Sequence, residues 1–282
     1  MRSRGVALVH THSSIDSWLA GLAARSLGLP VVRSRHVTIP IRHGLVYRLA
    51  DRIVASGEEA ARCVREAGVP PERVLAISAG VDLDRFHPGV SGKGVRDELG
   101  LHGPVVGLVA NIRGSKGHQY FLEAVPEILQ VRADASFLIV GTGVGFDDVR
   151  RRVCEMGLEN AVRMLGFRRD VPEVLAALDV LALPSTKSEA TSQVILQALA
   201  IGTPVVATTV GGSPEVIRDG ATGRLVPPAD APALARAILE LLAAPDTART
   251  MARAGGDAVR AAQSMDTVMA RVAALYHDLL RR

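Results

Sequence analysis

At 282 residues the chain is long enough for two α/β domains of ordinary size, and with 48% hydrophobic but only 3% aromatic residues its core must be aliphatic. No stretch approaches the ~20 apolar residues of a membrane span, the apolar run at 6–9 is too short for a signal peptide, and Cys63 and Cys154 are too few for a disulfide framework, a combination that suits a cytoplasmic protein. The basic excess sits at one end: residues 1–75 hold 11 Arg against 6 Asp and Glu, and residues 76–282 hold 22 Lys and Arg against 23 acids, so either the first part attracts an anionic membrane or a phosphorylated acceptor, or the abundant Arg is simply solvated.

The first strand signals are short β-rich runs at 6–9, 31–32, 52–55 and 74–77, with helical patterns at 17–27, 44–50 and 58–67. A stretch rich in Gly and polar groups at 87–104 marks a domain boundary. A second series follows, with strands at 105–110, 136–140, 162–165, 180–183, 204–207 and 223–226 and helices between them, for example at 118–131, 171–177 and 192–200. Ala-rich segments at 231–243 and 247–280 close the chain as helices, with Pro245 as the break between them. Strand alternating with helix predicts an α/β fold: two Rossmann-like domains, a partial one at 1–88 and a doubly wound parallel sheet at 104–265, with a helix at 266–282 packing back on the first part. Four strands are fewer than the five or six usual in a doubly wound domain, so the N-terminal domain reads as incomplete.

Four segments can carry chemistry. The strand at 180–183 ends at Pro184, and a helix starting near Thr191 would aim the free N–H groups of Ala190, Thr191, Ser192 and Gln193 at an anion such as a diphosphate. Thr191 or Ser192 can cap that helix, Glu189 stands just before it, and Gln197 lies about two turns in. An ordinary capped helix with an exposed glutamate fits equally well. After the strand at 105–110, Arg113 and Lys116 beside Gly114 and Gly117 suit phosphate, although the P-loop spacing is absent and two exposed loop cations are common. Gly141 and Gly143 follow the next strand, but Phe146 occupies the third glycine position of the dinucleotide fingerprint, which argues against an NAD enzyme; they either admit a nucleotide edge or form a turn. His10 and His12 follow the first strand and would point to opposite sides if it continued, one of them facing a cleft; a structural role fits either alone, and without a helical His pair or a Cys-x-x-Cys there is no zinc signature.

Together these segments resemble the retaining glycosyltransferases of family 4, which have the two-domain GT-B architecture. VALVHTHSSIDSWLAGLAA is similar to the middle of the family's N-terminal domain. Ala79-Gly80-Val81-Asp82 with Phe86 stands where the family has Asn-Gly-Val-Asp, and the run from Pro184 to Ile217, ending GTPVVATTVGGSPEVI, is the strongest match. The resemblance implies that Arg113, Lys116 and Gly117 hold the donor diphosphate. It places Glu189 beside the donor sugar, with the amides after it on the phosphates, and Gly166, Phe167 and Arg168 along the nucleobase. It brings His12 to the transferred sugar from the other domain. It also implies retention of configuration without a metal or other cofactor, a UDP- or GDP-linked donor, a glycan, lipid or small-molecule acceptor, and no nucleic-acid partner. A cytoplasmic place, at the inner face of the membrane in envelope polysaccharide synthesis, fits that reading. Two departures stand out. Gln197 replaces the family's second glutamate, which binds ribose, and against the family pattern the N-terminal domain reads as short by about two βα units. The competing readings are a nucleotide-sugar-binding fragment without turnover and a nucleotide-sugar epimerase of the same architecture.

Overall fold

The computed structural model describes residues 4–41, 44–187 and 189–281. In the first half, β1 (Val9–Thr11), β2 (Val31–Arg35), β3 (Arg52–Ala55) and β4 (Val74–Ala76) form a parallel sheet in the order β1-β2-β3-β4. Helices α1 (Ser14–Ser26) and α2 (Glu58–Glu66) connect them. β1 starts three residues later than the apolar run 6–9, because its partners Val31–Arg33 pair with Val9–Thr11. The segment at 44–50 is a tight 3₁₀ turn, Leu45–Leu49, rather than an α-helix.

The second half opens with α3 (Lys93–Leu99), inside the stretch read as a linker; it packs on a later helix and ends at Gly100 in the left-handed region. Then come β5 (Val105–Val109), α4 (His118–Val131), β6 (Ser136–Val140), α5 (Phe146–Glu155), β7 (Val162–Gly166), α6 (Val171–Ala177) and β8 (Val180–Leu183). They are followed by α7 (Gln193–Ile201), β9 (Val205–Thr208), α8 (Ser213–Val216), β10 (Arg224–Val226), α9 (Ala231–Ala243), α10 (Pro245–Ala262) and α11 (Met265–Leu280). The sheet order is β10-β9-β8-β5-β6-β7, all parallel, as the strand–helix alternation predicts.

Alternate residues of the central strands enter two cores. Val106, Leu108, Phe137 and Ile139 pack under α4 and α9, whereas Val105, Leu138, Leu181 and Leu183 pack under α6 and α7. Burial on both faces is why these strands read as unbroken apolar runs. Pro245 is the first residue of α10, where a missing N–H costs nothing. The real break in the predicted helix 247–280 lies at Gln263–Ser264, where the Ser264 hydroxyl accepts from the Thr267 amide and starts α11. Val268, Leu275 and Leu279 of α11 then pack against Val32, Val54 and Ile77 of the first sheet, so the chain ends on the half where it began.

Candidate active site at the meeting of two sheet edges

The second sheet is wound outward from β5 and β8, which are neighbours although β6 and β7 lie between them in sequence. Loops leaving the carboxyl ends of such a pair diverge and open a crevice, the usual ligand position in this kind of sheet. The β5 loop carries Arg113 and Lys116, and the β8 loop carries Glu189.

Lys116 Nζ lies 2.6 Å from Glu189 Oε2, and the Ser185 hydroxyl donates to the same oxygen at 2.7 Å. Both side chains are largely buried, with relative exposures of 13% for Lys116 and 8% for Glu189. Glu189 is thus not the exposed glutamate of an ordinary capped helix: it is buried, and Lys116 supplies the countercharge. Of the two cations expected near the start of α7, Lys116 thus reaches the segment preceding that helix. Arg113 is exposed and makes no ion pair among the described residues.

The helix expected near Thr191 begins at Gln193, and neither Thr191 nor Ser192 caps it with a side chain. Thr191 turns the other way. Its hydroxyl and amide donate to the Ser56 carbonyl at 2.9 and 3.4 Å, across to the end of β3 in the other half. Ala190 is half-buried and Ser192 buried beside it. Gln197 is half-buried on α7 and makes no hydrogen bond among the described residues, so it does not tie down a neighbouring loop.

The glycines of the site serve backbone approach. A Cβ on Gly117 would collide with the Pro184 carbonyl, and Cβ atoms on Gly141 and Gly143 would strike the carbonyls of Ala110 and Ile112. Close packing of the β5, β6 and β8 ends is therefore sufficient reason for all three. Phe167 is 70% exposed. Arg168 commits its guanidinium to Glu98 of α3 at 2.6 and 2.9 Å and to Asp170 at 2.5 and 2.8 Å, which holds it firmly cationic and leaves it tying α3 to the start of α6 rather than free for a base.

From the other half, His12 is exposed at the end of β1. His10 and His12 do not point apart, because β1 stops at Thr11 and the chain turns into α1; their rings stack at 4.4 Å. Beyond His12 lies His36, whose Nε2 is 3.3 Å from His12 Nδ1. Burial, with smaller contributions from His12 and His36, lowers His10 to about 4, and burial then His12 lowers His36. Among the described residues no three His, Cys, Asp or Glu side chains are grouped to hold a metal ion.

Sequence reasoning did not pick out Glu215 or His118. The Glu215 carboxylate accepts from the amides of Glu58 and Glu59, both at 2.8 Å, and so occupies the N-terminus of α2 in the other half. Gly57 makes room for this: at φ 125° it is in a region closed to most side chains, and its Cβ would lie 2.7 Å from Thr191 Oγ1 and 2.9 Å from Glu215 Oε2. His118 is buried, and among the described residues neither ring nitrogen has a hydrogen bond; burial, then Lys116, lowers it to about 4. A Glu just after Pro214 at a helix start is visible in sequence, but its partner on another helix is not.

Two parallel α/β sheets joined edge to edge by their carboxyl ends define the class, a two-domain Rossmann-like protein with an interdomain crevice. The family described as Glycosyl transferases group 1 matches residues 103–244, and Glycosyltransferase Family 4 matches residues 1–85. The chain belongs to this family of glycosyltransferase enzymes. It is 32% identical over 306 residues to the D-inositol 3-phosphate glycosyltransferase of Streptomyces scabiei, covering 95% of this chain and 67% of that protein. It is 29% identical to the alpha-D-kanosaminyltransferase of Streptomyces kanamyceticus, covering 97% of this chain and 78% of that one. In fold it matches the crystal structure of Anabaena HepE in complex with UDP and glucose, with a TM-score of 0.88, 23% identity, and coverage of 98% of this chain and 79% of that chain.

Proposed function

We propose that the chain binds a UDP- or GDP-linked sugar in the crevice between the two sheets and transfers the sugar to a hydroxyl of a glycan, lipid or small-molecule acceptor. The observation that carries this reading is the pairing of Lys116 and Glu189 at the β5–β8 switch point, beside Thr191, whose hydroxyl holds the Ser56 carbonyl at the carboxyl end of the other sheet. The relatives' names, with HepE holding UDP and glucose, support the donor class. In this reading Lys116 and Arg113, with the unpaired amides opening α7, stabilise charge on the departing diphosphate, so no metal ion is required. Glu189, held by Lys116 and Ser185, accepts hydrogen bonds from the donor sugar, and Gln197 meets the ribose with its free amide. His12 approaches the sugar from the opposite wall. The reaction retains anomeric configuration, as the family resemblance implies. The excess of 11 Arg over 6 acidic residues in 1–75 supports a peripheral contact with an anionic membrane, which suits a lipid-linked envelope acceptor.

Calorimetric titration with a panel of UDP-, GDP- and ADP-sugars tests the donor assignment. One nucleotide class should bind in the presence of EDTA, and Arg113→Ala should weaken it by ~1.5–3 kcal/mol. Transfer with the anomeric proton followed by NMR should show retention. Binding without turnover would leave a binding module, interconversion of the donor an epimerase, and no binding would sink the reading.

A further inference from the structure

The exit of β2 lies against the crevice. The Arg35 carbonyl accepts from the Ser56 amide at 2.9 Å and from the Ser56 hydroxyl at 3.1 Å, and the Ser56 carbonyl is the atom that holds Thr191. His36, next in the chain, therefore stands beside the junction of the two halves. β1 is the next strand outward, so His12 lies one strand further along the same edge. The His12 and His36 rings are nearly parallel, 9° apart with centroids 5.6 Å apart, and Nδ1 of His12 faces Nε2 of His36.

We propose that His36 is a positioning residue for His12: it engages Nδ1, fixes the tautomer and ring plane, and leaves Nε2 as the nitrogen offered to the donor sugar. This rests on the donor reading above only for what Nε2 meets. Two nitrogens at 3.3 Å share one proton, so protonation of one ring sets the role of the other. The surroundings hold this arrangement from every side. His10 stacks on the other face of His12 and is itself tied to Ser34 Oγ at 2.9 Å and to the Tyr276 hydroxyl of α11. Asp16 of α1 accepts from the His12 and Ser13 amides at 2.8 and 2.7 Å, which anchors the backbone beneath the ring. Although burial works the other way, these amides and the Ser13 hydroxyl hold Asp16 at about 2, so it stays anionic. Of the neighbouring cations, Arg33 stacks on Tyr47 and Arg35 donates to the Ile39 carbonyl, so neither takes the place of His36.

The test is the ¹⁵N signature of the histidine side chains in the whole chain. Wild type should show His12 in one tautomer. His36→Phe keeps a ring to stack but has no nitrogen, so the tautomer ratio of His12 should shift by about three- to ten-fold, the worth of one hydrogen bond, and His36→Gln should restore it. With UDP-glucose, His36→Phe should lower kcat for hydrolysis or transfer by a similar factor and leave KM and UDP affinity unchanged. An unaltered His12 signature in His36→Phe, or mixed tautomers in the wild type, would overturn the proposal. Failure of every UDP- and GDP-sugar tested to bind wild type would instead remove the donor reading, and the tautomer comparison would still judge His36.

Discussion

The six-stranded half and the four-stranded half solve the same architectural problem to different degrees. In the six-stranded half the central strands are buried on both faces, and the buried Glu189 at the crevice is matched by Lys116 and Ser185. In the four-stranded half α1 presents Ile15, Trp18, Leu19 and Leu22 at helical spacing with exposures from 43 to 75%. Beneath it Arg33 is 3% exposed, and two of its guanidinium nitrogens and the neighbouring Tyr47 hydroxyl have no partner among the described residues. The contrast teaches that the six-stranded half is a closed packing unit whose buried glutamate is already paired. The four-stranded half places histidines at its strand exits and depends on α11 and on Glu215 from the second half for support.

The largest effect that can sharpen this contrast is at the buried ion pair. Lys116→Met leaves Glu189 buried without a countercharge and should cost ~3–5 kcal/mol in denaturant unfolding. Adding Glu189→Gln should recover most of that loss, because an amide can be buried on Ser185 alone. A single variant as stable as wild type would mean that the charge is not balanced by this pair.

Next is the clamp between halves. Glu215→Ala empties the N-terminus of α2 and should lower stability by about 1.5–3 kcal/mol, the worth of charged hydrogen bonds. Small-angle scattering should show a wider separation of the halves. An unchanged profile and midpoint would mean that Thr191 and α11 suffice to join them.

Acid should then separate the two halves. His10 and His118 both titrate near 4 in the folded chain, well below the 6.5 of free histidine. A depressed folded value means that stability is fully present above pH 6.5 and is lost as pH falls towards 4, because the unfolded chain takes up the protons first. His118→Leu should flatten this loss in the six-stranded half, and His10→Phe in the four-stranded half. Hydrogen exchange at pH 7 and pH 4.5 reads each separately. Equal pH dependence in wild type and both variants would contradict it.

The smallest effect is expected at Gln197→Glu. The side chain is half-buried and has no hydrogen-bond partner among the described residues, so stability should change by no more than ~1 kcal/mol while UDP-glucose binding holds or tightens. A sharp fall in the midpoint with binding unchanged would reject the ribose role.

The six-stranded sheet was legible because each strand is an apolar run bounded by loop residues, a pattern that depends on neighbours in sequence. The crevice loops were legible for the same reason: glycines and cations follow strands directly. What escaped depends on distant partners. Burial of Glu189 required Lys116 73 residues away, and the clamp required α2 to meet Glu215 157 residues from Glu58. Thr191 reads as a helix cap until Ser56 is seen opposite it. The stacking of His10 on His12 came from the early end of β1, a boundary set by pairing with β2. Helix α3 was hidden because seven residues flanked by glycines carry little periodicity.

The central claim is that the donor occupies the crevice between the carboxyl ends of both sheets. Hydrogen exchange of the whole chain with and without saturating UDP-glucose tests it most directly. The account predicts slowed exchange at residues 113–118 and 189–193 on one wall and at 10–13 and 35–37 on the other. Binding accompanied by protection confined to one wall, or at sites away from both sheet edges, would contradict it.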